Sequence, residues 1–187
     1  MGGLNIKSSA AINQALLAKK AWELLTSPSS LWGRLMKNKY FPNSNFLSAN
    51  CPSTASWDWK SVCSAKELIR KGLFVKLGNG SSIDPWLNFW IPDYHPLEPP
   101  FPLQREAPRM VLDLIDVHSR SWKRDLVFHW WPPDVAFRII SIPIPIFQAE
   151  DKYIWVSSST GEFSVSSAYS IAIKGIIQHP HRPWLRI

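Results

Sequence analysis

Proline is distributed unevenly along this chain of 187 residues, and that distribution limits which secondary structure each part can form. Three of its 16 prolines precede residue 81 and thirteen follow it, and seven of these lie between Pro85 and Pro108. Proline fixes φ and lacks an N–H donor, so this stretch cannot form a regular helix or a central strand. The chain therefore divides into a proline-poor first part, which can be helical, and a second part of short elements.

The positive charge of the chain lies entirely in the first part. Residues 1–80 hold 11 Lys and Arg against 3 Asp and Glu, whereas residues 81–187 hold 10 against 11. Clustered basic side chains attract phosphate backbones of any sequence, because binding releases counterions. The alternative is that they only make amphipathic helices soluble. The candidate nucleic-acid contacts are Lys19, Lys20, Arg34, Lys37, Lys39, Lys60, Arg70, Lys71 and Lys76.

Apolar residues recur at helical spacing in the first part, each run following serines that can cap a helix. The predicted helices run from Ser8 or Ser9 to about Leu25, from Ser29 or Ser30 to about Lys39, and from Ser56 to Gly72. Eleven tryptophans are a further unusual feature. Trp22, Trp59 and Trp155 lie within apolar patterns, so we expect them in the core rather than stacked on bases.

The second part reads as short strands and short helices. A first hairpin is predicted from Leu73–Leu77 through Gly78-Asn79-Gly80 to Ser82–Ile83, and a second from Tyr153–Val156 through Gly161 to Phe163–Val165. Short helices are predicted at Met110–Asp116, Trp122–Phe128, Asp134–Ile140 and Ser167–Ile176. The predicted fold class is α+β, mainly α. The predicted domains are residues 1–72, a basic helical segment; 73–108, a hairpin and Pro-rich connector; and 109–187, short helices and a second hairpin.

Little in the sequence indicates catalysis or a cofactor. Asp113 and Asp116 form the only close pair of carboxylates on a predicted helix, and His179 and His181 alone are a weak ligand set. Two cysteines, Cys51 and Cys63, are too few for a disulfide framework, so we expect reduced thiols. We therefore predict no metal site and no cofactor. Without a signal segment or membrane span we expect an intracellular protein, nuclear or cytoplasmic.

Several weak motifs gain meaning from their order along the chain. They are Gly2-Gly3-Leu4, Asn13 to Trp22, Ser30-Leu31-Trp32, Lys39 to Pro42, Ser56 to Trp59, Lys71-Gly72-Leu73, Gly78-Asn79-Gly80, Ile83, Trp86 to Pro92, Asp113-Leu114-Ile115, Trp122, Ile142-Pro143 and Gly161 to Tyr169. In this order they resemble the segment after the polymerase palm in plant LINE-class, non-LTR retrotransposon reverse transcriptases. The resemblance covers nearly the whole chain, with departures at Pro85, Asn88 and Ser166.

The resemblance implies a thumb-like helical region and a connector, which in the family lie between the palm and a C-terminal zinc-binding and RNase H-like portion. The paired aspartates of the polymerase would precede Gly2, and the zinc ligands and RNase H carboxylates would follow Ile187. We therefore expect a truncated fragment that is noncatalytic alone and incomplete as a fold.

Three functions remain open from the sequence. The first is a retroelement fragment that binds RNA, DNA or their hybrid weakly and without sequence preference. The second is a Trp/Pro-rich module that presents Pro85–Pro108 to a protein partner. The third is a metal-dependent hydrolase using Asp113 and Asp116, for which we expect no activity.

Overall fold

The fold is α+β and mainly helical, which confirms the predicted class. The computed structural model describes residues 8–94, 106–146 and 149–174. His179, His181, residues 95–105 of the Pro-rich connector and the predicted end of the last helix at Ile176 lie outside the described residues. The helices are α1 (Ser9–Thr26), α2 (Leu31–Tyr40), α3 (Trp57–Ser64), α4 (Lys66–Gly72), α5 (Arg124–Trp130), α6 (Pro133–Ile140) and α7 (Val165–Lys174), with a 3-10 helix at Val111–Leu114. The strands are β1 (Leu73–Lys76), β2 (Ile115–Asp116), β3 (Ser121–Trp122) and β4 (Lys152–Trp155).

The described residues pack into two compact units. The first unit consists of residues 8–73 and 155–174, and the second of residues 74–94, 106–146 and 149–154. Helix α7 joins the first unit because it packs against α1 and α4. The segments 1–72, 73–108 and 109–187 describe the order along the chain, and as domains they stay a prediction. No helix among the described residues is long and apolar enough to cross a membrane.

Serine side chains begin the first three helices, as the sequence predicts. The hydroxyl oxygens of Ser8, Ser30 and Ser56 accept hydrogen bonds from the backbone N–H three residues ahead, at 3.4, 3.0 and 3.3 Å. Each bond satisfies one of the N–H groups that a helix start leaves without a partner. Between these caps, Ala15, Ala18 and Ala21 form the fully buried face of α1, so α3, α4 and α7 can approach it closely.

The third predicted helix is two helices, which corrects the single span from Ser56 to Gly72. The residue between the two helices is Ala65, which caps the end of α3 and the start of α4 with φ and ψ of −86° and −3°. Helix α4 then turns Lys66, together with Leu68 and Ile69, into the interior. Helical periodicity would place a lysine at the surface and not in the interior. The sequence alone therefore gives no sign of a break and predicts one continuous helix through this point.

Strand pairing also differs from the prediction. Strand β1 pairs with β4, whereas Ser82–Ile83 and Phe163–Val165, the predicted hairpin partners, are not strands. The Val75 N–H donates to the Phe89 carbonyl at 2.7 Å. Both predicted hairpins were wrong because their turn signals are local, whereas the partner that β1 finds comes from far along the chain.

A hairpin does form where the sequence predicts helices. Strands β2 and β3 are antiparallel and pair Ile115 with Trp122 and Asp116 with Ser121. The helix predicted over Met110–Asp116 is therefore only a 3-10 turn, and the next helix starts at Arg124 rather than Trp122. A short apolar run of this kind fits a helix or a strand equally well by periodicity.

Asp151 holds the loop at Gly78–Ser82. Its carboxylate accepts hydrogen bonds from the N–H groups of Gly78, Gly80 and Ser82 at 2.7, 2.9 and 2.9 Å, and from the Ser82 hydroxyl at 2.8 Å. A Cβ on Gly78 would lie 2.4 Å from the backbone of Glu150, and Gly80 has a φ of +74°. Close approach and left-handed backbone thus explain both glycines. The glycine motif forms a loop clasped by a distant carboxylate.

The core of the second unit uses its tryptophans as hydrogen-bonded anchors. Trp86, Trp90 and Trp122 are buried. Their indole N–H groups donate to the carbonyls of Pro108, Pro85 and Ile142 at 2.8, 3.1 and 2.8 Å. Each ring thus contributes apolar surface without leaving its polar atom unpaired. Trp86 and Trp90 belong to the core, so their rings are not available to a partner.

Candidate nucleic-acid interface

Eight of the nine predicted basic contacts lie on helices of the first unit. Helix α1 carries Lys19 and Lys20, α2 carries Arg34, Lys37 and Lys39, α3 carries Lys60, and α4 carries Arg70 and Lys71. All are exposed except Arg70, which is half-buried. The ninth, Lys76, is half-buried at the end of β1 and groups with the second unit.

Two of these side chains already have partners within the unit. Lys20 lies 2.9 Å from a carboxylate oxygen of Glu23, and its Nζ is 5.6 Å from the centre of the Trp32 ring. Arg70 forms an ion pair with Glu67 and donates to the Leu47 carbonyl at 2.8 Å. Both residues therefore contribute to the packing of the unit, and fewer of their N–H groups are available to a ligand.

Helix α2 presents the clearest basic surface. It has no acidic residue, and Arg34, Lys37 and Lys39 are exposed on it. Both lysines occupy the last turn, where the negative end of the helix dipole stabilises positive charge. Lys39 lies 5.1 Å from the ring centre of Tyr40. A hydrogen bond with Ser56 at 2.7 Å lowers the pKa of Tyr40 and joins the end of α2 to the start of α3.

An exposed tryptophan that was not predicted follows Ser56, the residue that accepts the hydrogen bond from Tyr40 at the end of α2. Trp57, the first residue of α3, is 79% exposed, and Lys60, one turn later, is exposed as well. Trp59 is fully buried and stacks on Tyr40 with ring centres 4.5 Å apart. Residues two apart on a helix lie about 200° apart around its axis. Burial of one of these tryptophans therefore predicts exposure of the other, and this signal was available from the sequence.

The sequence predicts that Trp22, Trp59 and Trp155 lie in the core, and the structure agrees. Trp155 is fully buried, as is Trp59. Trp22 is half-buried and stacks on Phe163 at 5.5 Å, with the edge of Trp155 at 5.6 Å. These rings form the centre of the first unit and are not available to bases.

Lys66 is a basic residue of the same segment that is part of the core. Its side chain is 8% exposed, and its ammonium donates to the Ala49 carbonyl. The ammonium lies 5.1 and 5.9 Å from the ring centres of Phe46 and Trp59. Burial lowers the pKa of Lys66. Burial, with a hydrogen bond that the Cys63 thiol donates to Cys51, raises the pKa of this neighbouring thiol to about 12.

The carboxylates considered for metal chemistry cap turns instead. Asp113 accepts the N–H groups of Arg109 and Met110, both at 2.9 Å. Asp116 begins the β2–β3 turn, and hydrogen bonds from Ser119 and His118 lower its pKa. Among residues 8–94, 106–146 and 149–174, no group of three or more His, Cys, Asp or Glu side chains could hold a metal ion.

Two relatives place the chain among known proteins. It is 36% identical over 98 residues to the Arabidopsis thaliana protein named "Uncharacterized mitochondrial protein AtMg00310", a match that covers 52% of this chain and 64% of the relative. It is 23% identical over 185 residues to the A. thaliana "Putative ribonuclease H protein At1g65750", a match that covers 96% of this chain and 30% of that protein. No family model matches, and neither does any solved structure.

The chain spans less than two thirds of either relative. It is similar along nearly its whole length to a part of a protein named for ribonuclease H, and both relatives come from a plant. Proteins with these names are typical of plant retroelement-derived sequences.

Proposed function

We propose that this chain is a segment of a retroelement reverse transcriptase and RNase H-like polyprotein. In this proposal the segment is noncatalytic by itself and binds nucleic acid without sequence preference. The observation that carries the proposal is the surface of α2, where Arg34, Lys37 and Lys39 are exposed on a helix without any acidic residue. The similarity to a ribonuclease H protein over 96% of the chain supports the origin.

The proposed mechanism is electrostatic. The lysines of α2 and Lys60 of α3 contact phosphate oxygens, and the released counterions supply the binding free energy. The exposed Trp57 ring stacks on a base at a strand end or a single-stranded stretch. None of these contacts reads a base edge, so affinity depends on salt and not on sequence.

The test is a salt titration of a fluorescently labelled RNA–DNA hybrid and a single strand, followed by anisotropy. The doubly substituted Lys37→Gln/Lys39→Gln protein is compared with Arg109→Gln/Lys152→Gln, which removes the same charge from exposed positions of the second unit. We expect the α2 variant to bind more weakly and to lower the slope of log K against log salt by about 2. The control should keep most of the wild-type slope.

Two results would overturn this proposal. One is the absence of binding by the wild-type chain to any of these probes at about 50 mM salt. The other is an equal loss of affinity in both double variants, since general positive charge and not the α2 surface would then explain the binding.

A further inference from the structure

A shallow cleft in the second unit combines positive charge with an apolar floor. Its volume is about 360 Å³, and its lining residues include Arg120, Ser121, Arg124, Ile140, Ile142 and Ile144. The two arginines and the serine are exposed, whereas the three isoleucines are half-buried. A surface that places guanidinium groups beside a row of isoleucines suits a ligand with one anionic and one apolar part.

The floor of the cleft is held rigidly. Trp122, which also lines it, is buried, and its indole N–H donates to the Ile142 carbonyl at 2.8 Å. The ring also stacks on Trp90, with centres 6.0 Å apart. The Ile142 N–H donates to the Ile139 carbonyl at 3.0 Å. A ligand would therefore meet an ordered surface, which lowers the entropy cost of binding.

Arg120 occupies a position where glycine would be easier to accommodate. It ends the β2–β3 turn with a φ of +50°, in the left-handed region that arginine rarely adopts. The start of the same turn is fixed by Asp116, whose carboxylate accepts the N–H groups of His118 and Ser119 at 2.9 and 3.3 Å. Strained residues of this kind cluster at functional sites. The strain here lies at a residue that lines the cleft.

The guanidinium groups of Arg120 and Arg124 have no hydrogen bond or ion pair within the parts of the chain that the structure describes. By contrast, Lys123 between them donates to the Asp113 carbonyl at 3.0 Å. Arginine offers several N–H donors in a fork that fits two phosphate oxygens at once. The cleft therefore has unused donors for an oxyanion, next to apolar surface that a free phosphate would not need.

We propose that this cleft, lined by Arg120 and Arg124, binds one nucleotide unit of single-stranded nucleic acid. The two guanidinium groups hold the phosphate, and the adjoining base packs on Ile140, Ile142 and Ile144. In a duplex each base is stacked between its neighbours and cannot reach this floor, so a single strand is the ligand. The cleft is separate from the α2 surface, and its binding does not depend on the function proposed for that surface.

The test uses a labelled oligothymidylate of about ten nucleotides and anisotropy on the full chain. Arg120→Gly removes the guanidinium and relieves the left-handed strain, so the variant should unfold at the same temperature as wild type or a higher one. We expect Arg120→Gly and Arg124→Gln each to weaken binding about tenfold and to lower the salt slope by about 1. The matched control is Arg109→Gln, an exposed arginine of the same unit outside the cleft, which should change the affinity less than twofold.

Two competitors distinguish the possible sources of the phosphate. An abasic strand of equal length should compete at least tenfold less well than oligothymidylate, and inorganic phosphate should compete only at far higher concentration.

Equal competition by the abasic strand would overturn the role of the base. Complete displacement by millimolar phosphate would indicate a simple anion site. An Arg109→Gln protein as weak as Arg120→Gly would overturn the cleft itself. Repeating the series in the Lys37→Gln/Lys39→Gln background separates these outcomes from any failure of the α2 surface.

Discussion

Two tryptophans of α3 show how strongly burial differs between two nearby positions on one helix. Trp59 has no exposed surface, whereas Trp57 is 79% exposed. Removing a fully buried aromatic side chain costs about 3–5 kcal/mol. Trp59→Ala should therefore unfold at much lower urea concentration, whereas Trp57→Ala should unfold like wild type. Trp57→Ala should nevertheless bind a single strand more weakly, by about 1–3 kcal/mol in the binding free energy. An unchanged affinity would exclude Trp57 from the interface.

Cys63 should give the unfolding free energy a measurable dependence on pH. Its thiol has a pKa of about 12 in the folded chain against an ordinary 9.0, mainly because of burial. Above pH 9.0 the unfolded chain releases this proton and the folded chain keeps it. The contribution of Cys63 to stability is thus complete below pH 9.0 and is lost as the pH rises toward 12.

Urea unfolding across that range tests this contribution. Wild type should lose stability more steeply with pH than Cys63→Ala. Cys51→Ala should keep most of the steep dependence, because burial and not Cys51 is the main cause of the shift. Lys66 acts in the opposite direction: burial lowers its pKa, so its cost to stability disappears as the pH approaches its ordinary 10.5. Parallel curves for wild type and Cys63→Ala would contradict the assignment.

At the scale of elements, the Gly78–Ser82 loop depends on one carboxylate. Asp151 accepts four hydrogen bonds from Gly78, Gly80 and Ser82. Asp151→Asn removes the charge and turns one acceptor into a donor that faces other donors. We expect a loss of about 2 kcal/mol in the free energy of unfolding, measured with urea. Glu150→Gln, the exposed neighbour, is the control and should cost less than about 0.5 kcal/mol.

The end of α4 depends on a close contact with an indole ring. A Cβ on Gly72 would lie 2.3 to 2.6 Å from ring atoms of Trp155. Gly72→Ala should therefore destabilise the chain by about 1–3 kcal/mol. Combined with Trp155→Leu, which vacates that space, the same alanine should cost much less than it does alone. Additive effects in this double-mutant cycle would show that the ring does not restrict this position.

These elements explain which parts of the fold the sequence predicts. The serine caps of α1, α2 and α3 depend on residues three apart; Ser56 was predicted as a cap, and Ser8 and Ser30 were each one of two predicted candidates. The partners of β1 and of the Gly78–Ser82 loop lie some seventy to eighty residues away, as the bond from Gly78 to Asp151 illustrates. A turn motif contains no information about such a partner, so both hairpins were assigned to the wrong neighbours.

The two candidate sites also differ in how far the sequence predicts them. Composition indicates the exposed lysines of α2, because charge excess is visible without a structure. The cleft at Arg120 and Arg124 was not predicted, because its isoleucine floor comes from the last residue of α6 and the residues after it, and its charge from the β2–β3 turn and α5. Residues 81–187 also carry no excess of positive charge, so composition gives no reason to look for an anion site there.

At the scale of the whole molecule, the first unit requires both ends of the described chain. Ala168 of α7 is fully buried, whereas Ser166 on the same helix is exposed. Ala168→Asp places a charge in the interior and should unfold the unit. We expect hydrogen exchange to become fast in α1 as well as in α7, since the two helices pack together. Ser166→Asp should leave exchange in α1 slow. Protection of α1 in the Ala168→Asp chain would show that the helices are independent.

The separation of α1 and α7 along the chain also sets the order in which these two helices are synthesised on the ribosome. Helix α1 leaves the exit tunnel long before α7, since the whole second unit is synthesised between them. At about 5–20 residues per second the delay is several seconds or more. During that time the face of α1 that carries Ala15, Ala18 and Ala21 lacks α7, one of the three helices that cover it, and Trp22 lacks Trp155 and Phe163. The nascent chain therefore exposes an apolar surface of the kind that chaperones recognise, and codons that slow translation within residues 74–154 would lengthen this exposure.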